Sequence, residues 1–74
     1  MEKSKVVFER NGDSVIAWIN DEPRIWIKAS RYKLENAFKD FSNYRGCPCL
    51  VIKRRDNSEE IAFLWLDSGN IHIL

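Results

Sequence analysis

The sequence predicts an α+β domain, an antiparallel sheet of five or six strands with one helix packed on one face, in the order βββ-α-βββ. Three observations predict it. Short runs of β-branched and aromatic residues alternate with turn signals such as Asn11-Gly12 and Asp67–Asn70. One stretch after Ser30 carries apolar residues at helical spacing. A chain of 74 residues has room for a single core, so residues 1–74 form one domain.

The first strand reads Lys5-Val6-Val7-Phe8-Glu9-Arg10. Asn11-Gly12 follows as a hairpin signal, because a type I′ turn needs positive φ at both central residues. Ser14–Asn20 makes the second strand, Asp21-Glu22-Pro23 breaks it, and Arg24–Ala29 makes the third. Ser30 then has the residue type of a helix N-cap. Leu34, Ala37, Phe38, Phe41 and Tyr44 recur at i, i+3, i+4, i+7 and i+10, which predicts one apolar stripe. Glu35 and Lys39 stand in the favoured i,i+4 order, Arg45 suits the negative end of a helix, and Gly46 suits a left-handed C-cap. Pro48 belongs at a strand start or edge. Cys49–Arg54, Glu60–Leu66 and Ile71–Leu74 complete the strands, with Asp56–Glu59 and Asp67–Asn70 as turns.

The two N-terminal hairpins can be phased against each other. An Asn11-Gly12 turn pairs Phe8 with Val15 and Val6 with Ala17; a three-residue Asp21–Pro23 loop pairs Ile19 with Ile25 and Ala17 with Ile27. Both then turn Val6, Phe8, Val15, Ala17, Ile19, Ile25, Ile27 and Ala29 to one side, the expected seat of the helix. A slip of one residue in either hairpin would scatter that set. The opposite side carries Val7, Ile16, Trp18, Arg24, Trp26 and Lys28, with Trp18 directly across from Trp26. Two indoles and two branched aliphatics rimmed by charge are unusual on a solvent face. Indole offers apolar area with one polar N–H at low entropic cost, as contact anchors require. A second core layer, built by folding the later strands across this face, is the structural alternative.

Composition narrows the function. Twelve Lys and Arg against eleven Asp and Glu leave a net charge of +1, too little for a dedicated non-specific nucleic-acid binder and the wrong sign for an acidic DNA mimic. The opening residues lack an apolar leader and no segment approaches the ~20 apolar residues of a membrane span, so a cytoplasmic protein with no membrane contact is expected. Cys47 and Cys49 are read as free thiols, too close on one strand to pair. With His72 they offer three soft ligands, one short of a structural zinc site, and no fourth is evident, so neither metal nor cofactor is expected. His72 has no identifiable catalytic partner, Glu59 and Glu60 are adjacent in a turn, and no phosphate loop or nucleophile elbow occurs. The chain is therefore read as a non-enzyme.

Arg31 and Lys33 pose a local conflict, since the first turn of a helix favours acidic residues. An anion bound at that helix start would reward them, so they join the candidate binding residues. The leading expectation is a small non-catalytic protein-binding module that occludes a larger partner, in the manner of an inhibitor, an antitoxin or a phage-type anti-host factor. Its contact would be the Trp18/Trp26 sheet face. The alternative is single-stranded nucleic acid, its bases stacked on the same rings among Lys5, Arg24 and Lys28. Homodimerisation through that face is the third use.

Overall fold

The computed structural model describes residues 4–74 and corrects the fold class: the described chain is all-β, with no helix. Seven strands follow one another: β1 (Val6–Asn11), β2 (Ser14–Ile19), β3 (Glu22–Lys28), β4 (Tyr32–Phe41), β5 (Tyr44–Arg54), β6 (Glu60–Trp65) and β7 (Ile71–Ile73). They form two antiparallel sheets, β1-β2-β3 and β4-β5-β6-β7, each strand beside its neighbour in sequence. The expectation about a leader concerned in part residues 1–3, which lie outside the described residues.

The two sheets pack face to face in a body 37 × 28 × 15 Å. Ala17, Ile19, Ile25 and Ile27 from the three-stranded sheet meet Leu50 and Leu64 from the four-stranded one, and Val6, Val15, Tyr32, Leu34, Ile52 and Leu66 pack around them. The alternation in the first half of the chain picks out the inward residues, but a second sheet covers them where a helix was expected.

The predicted helix is the hairpin β4–β5. Its apolar stripe is split by the pleat, and Phe38 is 75% exposed. The reason lies in β5. Cys49, Leu50 and Val51 are consecutive and all buried, so this strand is covered on both faces. A strand so placed must pair its backbone on both edges, because buried N–H and C=O groups without partners are costly. β6 supplies one edge and β4 the other. Helix propensity, worth a few tenths of a kcal/mol per residue, is overridden. Ser42, with φ +56°, starts a two-residue turn with Asn43 that sets Phe41 opposite Tyr44. Gly46 is left-handed (φ +63°) as expected, but as part of a bulge opposite Asp40, whose Oδ1 accepts its N–H at 3.0 Å.

Ser30 caps no helix. Its hydroxyl donates to Asp13 Oδ2 at 2.7 Å and its N–H to Asp13 Oδ1 at 3.0 Å, which pins the β1–β2 turn to the connection between the sheets. Those bonds hold the Asp13 carboxyl below its ordinary range. With no helix there is no macrodipole, so the conflict at Arg31 and Lys33 disappears together with the anion site proposed for them.

Among the described residues no further layer covers the second face of the four-stranded sheet, yet Cys49, Val51 and Trp65 are buried there. Phe41 lies 5.1 Å from Trp65 and Phe63 meets the same indole edge-on at 5.1 Å. Lys39 crosses β5 to reach Glu60 at 2.7 Å, with its ammonium 5.4 Å from the Phe63 ring; Lys53 reaches Glu35 at 2.7 Å. Partly exposed pairs of this kind add little Coulombic energy. Their methylene stems, laid over apolar surface, are the larger contribution. Burial pushes the Cys49 thiol above its ordinary value.

Two outcomes test this packing. Leu64→Ala should cost about 2–5 kcal/mol in denaturant unfolding, and Phe38→Ala less than about 0.5 kcal/mol; the reverse order would restore the helix. In the native protein Cys47, half-buried, should react with a thiol reagent at least roughly tenfold faster than buried Cys49. Equal native rates would show that the second face is open.

Candidate protein-binding surface

The outer face of the three-stranded sheet gathers four of the eight expected residues around Trp26. Asn11 pairs with Ser14 across a Gly12-Asp13 turn, with Gly12 at φ +62°. That register stands two residues from the expected one, and a shift of two leaves every side chain on its face. Val7 lies opposite Trp18, and Glu9 opposite Ile16. The second turn is Asn20-Asp21, both left-handed at φ +51° and +67°, a type I′ turn. Glu22 and Pro23, read as loop, begin β3 instead.

The partner of Trp26 is therefore Ile16, and Trp18 stands opposite Pro23. The expected Trp18–Trp26 cross-strand pair is corrected. Trp26 is 72% exposed and Val7 46%. Ile16 and Trp18 are half-buried, and the Trp18 indole N–H donates to Glu9 Oε1 at 3.2 Å. A carboxylate thus fixes one ring while the other stands in solvent.

The β2–β3 pairing slips between Ala17 and Trp18, which leaves Arg24 as the extra residue. A bulge re-aims the side chain it carries. Arg24 Nη2 donates to the Gly69 carbonyl at 2.6 Å, in the β6–β7 turn of the other sheet. Gly69 is left-handed (φ +76°), and a Cβ there would stand 3.2 Å from Arg24 Nη1, so any side chain would disturb the strap. Arg24 is an inter-sheet tie rather than a rim charge of the Trp face.

Lys28 stays on that face at its β3 edge, opposite Ser14. Lys5 is 3.4 Å from Asp21. Arg31 and Lys33 are elsewhere. Arg31 lines a polar depression with Ser30, Tyr32, Arg54 and Asp56. The Lys33 ammonium is 3.6 Å from Glu35 and donates to Ser58 Oγ at 3.2 Å.

Sequence reasoning missed the exposed rings of the β4–β5 hairpin, Phe38, Phe41 and Tyr44, having assigned them to a buried stripe. The signal was the unbroken run Cys49–Ile52, which marks a central strand and so demands a partner before it. These rings do not form one patch: Phe38 pairs with Pro48 on the face that meets the other sheet, and Phe41 packs on Trp65 on the opposite face. His72 is exposed and stacks on Phe63 at 5.0 Å and 18°.

Among the described residues no three His, Cys, Asp or Glu side chains are grouped to hold a metal ion. No helix among them is long and apolar enough to cross a membrane. No protein-family model matches the chain, and neither the search of curated proteins nor that of solved structures finds a relative.

Proposed function

We propose that this chain is a small non-catalytic protein-binding module, resident in the cytoplasm, that occludes a surface on a larger partner through the outer face of its three-stranded sheet. The observation that carries the reading is Trp26, 72% exposed on a paired strand with Ile16 beside it and Val7 and Trp18 on the same side. A monomer gains no stability from leaving an indole there, whereas an interface gains apolar area at little entropic cost. β2 pairs on both sides, so the face is held rigid before binding, which keeps the ordering cost of association low.

Single-stranded nucleic acid fits the same face less well. Of the three cations that would contact phosphates, Lys5 is beside Asp21 and Arg24 is bound to Gly69, leaving Lys28. Glu9 lies among the rings. Stacked bases would meet one accessible indole and a nearby carboxylate.

Trp26→Ala should leave the unfolding midpoint unchanged and weaken capture of the partner by ~2 kcal/mol or more in a binding titration. Retained affinity would remove this face from the proposal. Oligonucleotide binding that falls steeply with salt would favour the nucleic-acid reading. Concentration-dependent dimerisation abolished by Trp26→Ala would assign the face to a second copy.

A further inference from the structure

A cleft of about 280 Å³ opens between the two sheets at the end where β3 crosses to β4. Val15 and Ile27 line it from one sheet, Tyr32 and Leu34 from the other and Ala29 from the connection between them, with half-exposed Phe8 also in the lining. This is the edge of the inter-sheet core, left unfilled. Arg10 and Arg55 also line it. Each uses its Nε to fix itself to the backbone: Arg10 donates to the Gly12 carbonyl at 3.1 Å, and Arg55 to the Ala29 carbonyl at 2.6 Å. Their terminal nitrogens are left over, and among the described residues neither has a carboxylate within ion-pair distance.

We infer that this cleft is a binding site for a small amphipathic carboxylate, with an acyl or aryl body against Val15, Ile27 and Leu34 and its headgroup between Arg10 and Arg55. The volume equals roughly nine water molecules at about 30 Å³ each, the small end of ligand sites. Charge selects the headgroup. Arg10 and Arg55 bring two positive charges to its lining, and no carboxylate residue is among the lining residues. Lys33 also borders the cleft, but its ammonium is engaged by Glu35 and Ser58. Guanidinium forks match the planar geometry of a carboxylate.

The site is separate from the Trp26 face, so the two can fail independently. Titrating the labelled protein with octanoate, followed by amide shifts, should give saturable changes confined to Phe8, Val15, Ala29, Tyr32 and Leu34. Octanol, the neutral match, should bind at least roughly tenfold more weakly, since it lacks charge-assisted hydrogen bonds. Arg10→Gln with Arg55→Gln should lower octanoate affinity by a similar factor and leave octanol binding unchanged. Because Arg55 also ties to the backbone, Arg10→Gln alone is the second variant, with a several-fold loss expected. Trp26→Ala should change none of this. Equal binding of octanol, shifts that spread over the outer faces, or no saturation would overturn the assignment.

Discussion

The rest of the structure depends on the burial of β5 on both faces. A strand whose consecutive residues Cys49, Leu50 and Val51 are all removed from water needs a strand on each edge and a cover on each side. Every larger feature answers one of those four demands. β4 and β6 take the edges. The three-stranded sheet takes one side with Ala17, Ile19, Ile25 and Ile27, and the rings of Phe41, Phe63 and Trp65 with the stems of Lys39 and Lys53 take the other.

That arrangement decides what remains for function. A sheet of three strands spent on covering β5 has its other face left over, and that face bears Trp26. The layers are tied at one end by Arg24 to Gly69 and by Ser4 Oγ to the Leu66 carbonyl at 3.0 Å. At the other end Arg55 joins the connection through the carbonyls of Ala29 and Arg31. The cleft lies beside this second tie, where side chains from the two sheets do not quite meet. For a domain this small, which buries only about 60% of its unfolded surface, such ties matter more than they would in a larger core.

The first half of the chain was legible because period-two alternation survives a register error of two residues. Phe8 was paired with Val15 and is found opposite Ala17, yet the inward and outward sets stayed intact. The Asn20-Asp21 turn, where a loop of Asp21–Pro23 was expected, displaced the Trp18–Trp26 pair, and the bulge at Trp18, which nothing in Pro23-Arg24-Ile25 marks, hid the role of Arg24. The second half misled because Leu34, Ala37, Phe38, Phe41 and Tyr44 satisfy helical spacing by coincidence. Local pattern carries no information about a partner strand ten residues later. Two warnings were present: cations at the supposed helix start, and a four-residue apolar run in Cys49–Ile52 that a sheet edge could not accommodate.

Backbone NMR of the full chain tests the doubly covered strand most directly. Extended shifts over residues 32–41, with cross-strand contacts from Leu34 to Ile52 and from Ala37 to Cys49, are the expected result. Helical shifts over 31–45, with amide contacts three residues apart and none to 47–54, would contradict it and return Phe38 and Phe41 to a core.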